Sequence, residues 1–441
     1  MFDRPNQLVV FDHVRRRRPT CAPSWFAGAS ILGMVAILCV QSFCSAPAEE
    51  GLLEERLLEE RGLGEPQLDE LQFDELQLPT SSALPDEAPG LRIEPVYHGE
   101  CFTNARGGIS TSGAARYLGL LDLGIAVDFA RLRIPAPGKF FVLAQNTQGQ
   151  GLTQDFVGDT MVYSNIDAFR AFTQVGEYWW EVGMLEDAVT LRLGKQDVNH
   201  EFYFMDTARD FIQSGFTLSP NAKFPSYPQQ AMAAVALVQL DESLQFKVGI
   251  WDALAKPGSW GVSGQETVLI TSELELAYAL GEGTLPGRLA LGAGYLSEGE
   301  LEGASFGDGH GYSLQWEQRI LSECADDAPD VEATQGLSLF AAYYPRFPSA
   351  PVLKLAIGES YAAGLVYTGL VAQRDQDVLG VGAVRSELNQ GGTDRETAFE
   401  LFYRVVFSEH AAIQPDLQYI VTPSGVHPDS LVIGVRLQLN L

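Results

Sequence analysis

From Tyr97 onward, apolar and polar residues alternate with period two, in segments of roughly ten residues parted by turn formers. Over 117–129, Tyr117, Leu121, Leu123, Ile125, Val127 and Phe129 share one face with Gly119, while Asp122, Gly124, Ala126 and Asp128 share the other. Leu244, Phe246, Val248 and Ile250 oppose Gln245, Lys247, Gly249 and Trp251. Phe399, Leu401, Tyr403, Val405 and Phe407 oppose Glu400, Phe402, Arg404 and Val406. Ile413, Pro415, Leu417, Tyr419 and Val421 oppose Gln414, Asp416, Gln418 and Ile420. In the last segment Val435, Leu437, Leu439 and Leu441 alternate with Arg436, Gln438 and Asn440. Strands with one apolar and one wet face fit either a sheet over a soluble core or a membrane cylinder with water inside.

The connections decide between these two. Counted back from Leu441, with that end taken as periplasmic, the pattern predicts sixteen strands. They begin near 97, 116, 138, 172, 187, 231, 243, 267, 287, 311, 335, 360, 377, 398, 411 and 430. Connections around Ile134, Glu186, Asp241, Gly283, Gln373 and Glu409 are mostly short. Those at 147–171, 195–230, 252–266, 297–310 and 345–358 are mostly long. A soluble sandwich has no reason to sort its loops by parity, whereas an outer-membrane barrel has short periplasmic turns and longer external loops. The expected fold is therefore all-β: a 16-stranded antiparallel transmembrane β-barrel whose last strand closes on its first. The 322–334 stretch is the exception, long for a periplasmic turn.

The N-terminal quarter reads differently. Arg15 to Arg18 form a basic region, 25–40 is apolar, and Ala46-Pro47-Ala48 is a small-x-small cleavage site, so 1–48 is expected to be a signal peptide. The 49–95 segment is acidic, repeats with period five in LLEERLLEER and LDELQFDELQ, and is broken by Pro79, Pro85, Pro89 and Pro95. It is expected to be a periplasmic arm or linker, leaving 96–441 for the barrel. No apolar run after residue 48 is long enough for a membrane helix. The net charge of -28 argues against nucleic acid as a partner. Beyond the leader only Cys101 and Cys324 remain, no cysteine or histidine spacing suggests a metal site, and no cofactor is expected. Strand positions place the two cysteines well apart around the cylinder, and they are not expected to pair with each other.

A cylinder of sixteen strands encloses an aqueous channel, so function lies with inward residues and with any loop folded inside. By parity the inward set includes Asp122, Asp128, Glu177, Trp179, Glu181, Arg192, Lys247, Trp251, Glu273, Glu275, Arg288, Glu317, Arg404, Asp416 and Arg436. Acids and bases are mixed, whereas an anion channel would carry a one-sign ladder of Arg and Lys. Carboxylates accept from hydroxyls, arginine donates to them, and indole or phenol rings pack on apolar sugar faces. The candidate pore-lining and substrate residues are Glu177, Trp179, Arg192, Lys247, Trp251, Arg404 and Asp416. The longest external connection carries Asp197, Glu201, Tyr203, Asp206, Arg209 and Asp210 and is the candidate constriction loop. No GxSxG, HExxH or P-loop occurs, and His200 beside Asp197 and Glu201 reads as loop surface, so no enzymatic activity is expected.

Tyr97 to Leu441 resembles the carbohydrate-selective porins of the OprB type. The likeness rests on YLGLLDLG (117–124), DFVGD (155–159), SNIDA (164–168), LRLGKQD (191–197), PSYP (225–228), GLVYTGL (364–370) and IQPDLQYI followed by Pro423, in that order. The resemblance implies a 16-stranded channel in the outer membrane of a Gram-negative-type bacterium. It would pass mono- and small oligosaccharides, with outer-membrane lipids and small sugars as its partners. The sequence departs from that family in the acidic arm, in the 322–334 turn and in ending on Leu441 rather than an aromatic. Two other functions stay open at this point: a general, weakly cation-preferring porin, and a structural surface barrel with a closed lumen. The lipid-facing surface sets no patch apart, so monomer and homo-oligomer both stand.

Overall fold

The structure is a computed structural model. It describes residues 90–217, 225–281, 285–301, 304–323, 335–344, 357–388 and 395–441. The leader, the arm as far as residue 89, Cys324 with the rest of its turn, and most of the 345–358 connection lie outside these residues. The first half of the sheet comprises β1 (Leu91–Arg106), β2 (Ala115–Asp128), β3 (Lys139–Gly149), β4 (Phe172–Met184), β5 (Val189–Gln196), β6 (Ala231–Gln239), β7 (Leu244–Asp252), β8 (Val268–Leu280) and β9 (Leu285–Leu296). A small hairpin, β10 (Gly299–Leu301) and β11 (Ala304–Phe306), lies in the following external connection. The second half is β12 (Gly309–Glu323), β13 (Gln335–Tyr344), β14 (Ile357–Thr368), β15 (Val378–Leu388), β16 (Arg395–Ser408), β17 (Ala411–Val421) and β18 (Ser430–Asn440). Apart from the hairpin, these strands form one closed antiparallel barrel in which each pairs with its sequence neighbour. β18 seals it against β1, in a register that sets Arg436 opposite Glu100 and Val435 opposite Cys101. Cys101 is disulfide-bonded, and the expectation about its pairing with Cys324 concerns a residue outside the described ones.

Strand starts agree with the alternation to within a few residues, and the largest difference is at β1, which begins at Leu91. Residues Leu91 to Glu94 pair only with β2, and past the end of β18 the Pro95 carbonyl still accepts from Leu441 N–H at 2.9 Å. Pro95 has no N–H to offer, and it sits where no strand on that side requires one. The turn before β7 is fixed by Asp241, whose carboxylate accepts from the N–H groups of Ser243 and Leu244. These hydrogen bonds hold its carboxyl below the usual aspartate range. Within LRLGKQD, Gly194 has φ +139°, and a Cβ there would lie 2.2 Å from the Tyr178 carbonyl oxygen.

Outward side chains form the expected apolar belt: Ile250, Leu291, Phe399, Leu401 and Phe407 are exposed, as lipid-facing residues must be. Aromatic hydroxyls and indoles flank it, with Trp316 donating to Tyr278 at 2.8 Å and Tyr343 stacked on Tyr361. The lumen departs from a purely polar interior. External connections L2 (150–171) and L3 (197–230, of which 197–217 and 225–230 are described) place apolar residues of their described parts in a core inside the cylinder. Leu152, Val157, Met161, Phe202, Met205, Phe211, Ile212 and Phe216 pack with inward Phe102, Trp251, Phe340, Val384, Phe402 and Ile420 of the wall.

A loop-filled lumen with buried carboxylate ties

L3 begins at the end of β5 and is closed at its own base. Asp197 accepts from Asn199 N–H at 2.9 Å and from Tyr227 N–H at 2.7 Å, and Val198 N–H donates to the Pro225 carbonyl at 3.0 Å. This brings LGKQD and PSYP together, two motifs roughly thirty residues apart in the sequence. From there L3 crosses the lumen, and inward carboxylates receive its backbone amides one after another. Tyr203 N–H donates to Glu273 at 3.3 Å, and Thr207 N–H donates to Glu317 at 2.7 Å. Ile212 and Gln213 donate to the two oxygens of Glu400 at 2.7 and 2.9 Å. Gln414 of β17 donates to the Asp210 carbonyl at 2.7 Å. A loop interior must satisfy its backbone groups, and here the wall supplies the acceptors.

L2 is held in the same way by β1, β16 and β17, next to where L3 ends. Thr160 and Met161 N–H donate to Glu396, Ser164 Oγ donates to Glu100 at 2.7 Å, and Gln418 donates to the Tyr163 carbonyl at 2.9 Å. Arg436 pairs with Glu100 across the barrel seam and also reaches Asn165. Asp159 of L2 is deeply buried, and that burial, reinforced by the Glu396 charge, pushes its carboxyl up to about 8.

Beneath L3, charged side chains of β4, β5, β7, β8, β9 and β12 join in a network. Arg192 bridges Glu181 at 2.7 Å and Glu201 at 2.8 Å. Lys247 contacts Glu273 at 3.1 Å and Glu275 at 2.6 Å, and also donates to the Glu201 carbonyl. Arg288 contacts Glu273, Glu275 and Glu317 at 3.0–3.2 Å. Three cations thus face five carboxylates, leaving the network acidic on balance. Across from it, Arg404 lies 3.9 Å from Asp210 and donates to Gln438.

The expected site residues fall into two groups. Glu177, Trp179, Arg192, Lys247, Trp251 and Asp416 all point inward and lie only 1–4% exposed. The Arg192 guanidinium covers the Trp179 ring at 4.3 Å. Trp251 sits against Phe202, with its indole N–H on Thr271. Glu177 holds His200 of L3 at 3.0 Å. Burial alone would depress that imidazole, but the Glu177 charge, with Asp197, lifts it to about 9. These side chains form the seat of the loop. Of the loop residues, Asp197, Glu201 and Tyr203 are buried in that seat, while Asp206, Arg209 and Asp210 retain exposure. Arg404 and Asp210 remain partly open, with side chains 20% and 23% exposed, as do Glu181, Glu275 and Arg288 at 15–17%. The sequence reading did not single out Glu100, Glu396 or Glu400 as ties. The signal was present in Phe402 and Ile420, apolar residues on otherwise polar faces, which are the points where the loops dock.

A closed sixteen-stranded barrel with an apolar belt, a charged lumen and an infolded external loop defines an outer-membrane porin. The chain belongs to the carbohydrate-selective porin, OprB family, whose profile matches residues 112–441. It is a carbohydrate channel of a Gram-negative outer membrane. Porin B of Pseudomonas aeruginosa is 23% identical over 408 residues, covering 79% of this chain and 87% of that protein. The high-pH structure of Pseudomonas putida OprB superposes with a TM-score of 0.69 at 20% identity, covering 80% of this chain and 94% of that one. The low-pH structure of the same protein gives a TM-score of 0.54 at 18% identity, over 80% and 93% of the two chains.

Proposed function

We propose that the channel passes mono- and small oligosaccharides by passive diffusion through a constriction that L3 narrows from one side. What supports this is the set of amide–carboxylate ties that hold L3 across the lumen, ending at Glu400. Glu181, Glu275, Arg288, Arg209, Asp210 and Arg404, which keep exposure there, supply the acceptors and donors for sugar hydroxyls. Weak, multiple hydrogen bonds let a sugar shed water without being held. Glu177, Trp179, Arg192, Lys247, Trp251 and Asp416 act one layer back, fixing the loop that shapes the opening. Deleting 197–216 should raise conductance and flatten discrimination between small sugars in liposome swelling. Unchanged values in a variant that still assembles would move the constriction to L2.

A second reading has its own observation. The surplus of carboxylates in the network favours cations, so a salt-gradient reversal potential should show weak cation preference. A reversal potential of zero with sugar flux retained would leave the channel non-selective for ions.

A further inference from the structure

The connection between β7 and β8, residues 253–267 (L4), is anchored against the outer face of β4–β6. Tyr178, Lys195 and Met232 occupy one cross-strand row, on the face opposite that of inward Trp179. Lys195 Nζ donates to the Val175 carbonyl at 2.6 Å and to the Ser259 carbonyl of L4 at 2.8 Å. Val175 lies past the end of the β4–β5 ladder, which stops at Tyr178 opposite Lys195, so its carbonyl is open to this bond. Tyr178 Oη donates to the Trp260 carbonyl at 2.8 Å, and Met232 N–H donates to the Gly261 carbonyl at 2.8 Å. Gly261 has φ +84°, and a Cβ there would lie 2.9 Å from both Lys195 Cγ and Met232 N. Lys195 is fully buried by this arrangement although it faces away from the lumen.

Next to this anchored loop is a cavity of about 350 Å³, lined by Met232, Ala234, Ile250, Asp252, Gln265 and Val268 among others. Ala234, Ile250 and Ile270 form one outward row, and Asp252 and Val268 form the next. Ile250 and Ile270 are 48% and 38% exposed and belong to the lipid-facing belt, so the cavity opens onto that belt. The Asp252 carboxylate is turned to L4, accepting from Leu254 and Ser263 N–H. Apolar Met232, Ala234, Ile250 and Val268 share the lining with Gln265 and Thr267. On L4, Trp260 and Val262 are 70% and 60% exposed, as suits side chains entering the membrane–water interface.

We propose that this cavity seats one acyl chain of an outer-leaflet lipid, held between L4 and the outer face of β6–β8. Its continuity with the lipid belt and its place at the external end of the strands select that occupant. A second copy of the chain would need a broad, self-complementary patch, and this opening is small.

The test uses the full protein in nanodiscs of phospholipid with a diazirine near the end of one acyl chain. After illumination, adducts on peptides spanning 232–234, 250 and 265–268 should exceed those on lipid-facing Leu401 and Leu417 several-fold. Ala234→Trp fills the cavity and should bring the adducts down to the Leu401 level while sugar flux stays at wild-type rates. Lys195→Met releases L4 and should lower the adducts too, which keeps the test decisive if Ala234→Trp fails to assemble. Even labelling around the wild-type belt, enrichment that survives in both variants, or crosslinks to a second copy of the chain would overturn the assignment.

Discussion

Replacing Glu400 by alanine tests how L3 is held. The carboxylate accepts from Ile212 N–H and Gln213 N–H, and both residues are fully buried. Removing it leaves two buried donors unpaired, at ~1–3 kcal/mol each, or ~2–6 kcal/mol together. Opposing release, Phe211, Ile212 and Phe216 are buried, and Phe211 packs on Phe340 and Phe402 with ring centroids 5.4 and 5.0 Å apart. Burial of three such side chains stabilises docking by ~4–9 kcal/mol as an upper estimate. At the lower end of the cost the apolar anchor outweighs the lost ties. In Glu400→Ala the loop stays docked most of the time, but its docked-to-released ratio falls by roughly thirtyfold at the lower end of the cost. Single-channel recordings should show the wild-type main conductance interrupted by brief, larger openings. Amide exchange over 211–216 should quicken by a similar factor. Adding Phe211→Ala removes ~3–5 kcal/mol of packing and should turn the brief openings into a lasting rise in conductance. If the double variant assembles with wild-type conductance and wild-type exchange, L3 is not held by these contacts and the reasoning fails.

Three further outcomes follow from the loop anchors. Asp159 lies near 8 in docked L2 against an ordinary 3.8, so docking is favoured while it stays protonated and that advantage is lost as pH rises from about 4 through about 8. His200 lies near 9 in docked L3 against an ordinary 6.5, so its contribution is complete below 6.5 and is lost as pH rises through about 9. Both loops should loosen in alkali, seen as lower amide protection factors over 150–171 and 197–217 between pH 6 and about pH 9.5, with the base-catalysed rise in intrinsic exchange divided out; Asp159→Asn should flatten only the L2 part, and loops that tighten instead would contradict the sign. Arg192→Ala strands one carboxylate of β4 and one of L3 and should cost ~3–5 kcal/mol in detergent unfolding, with Arg192→Lys recovering only part because a point charge cannot span Glu181 and Glu201 as the fork does. Arg404→Ala should change relative sugar fluxes while leaving thermal stability close to wild type, since its contact with Asp210 is long and partly solvated.

What alternation revealed in the sequence, and what it hid, have one physical origin. A strand between lipid and water must repeat with period two, and its connections must sort by side of the membrane, so strand starts from 116 to 430 could be read from residue type alone. The same rule assigned Arg404, Arg192 and Lys247 to the inner face, and each meets a residue of L3 there. It could not show what fills the lumen, because that depends on a loop whose partners lie far off in sequence: Ile212 meets Glu400 across 188 residues. A carboxylate that holds a loop amide and one that faces a sugar look identical along a strand. Phe402 next to Glu400, and Ile420 next to Gln418, carried the missing information, since an apolar side chain facing a water-filled pore is costly unless protein covers it. Lys195 is the mirror case: a cation on the lipid face is tolerated because the Val175 carbonyl of β4 and a loop carbonyl accept from its ammonium group. In a barrel, then, departures from alternation mark where a loop returns to the wall, on the inside at Phe402 and on the outside at Lys195.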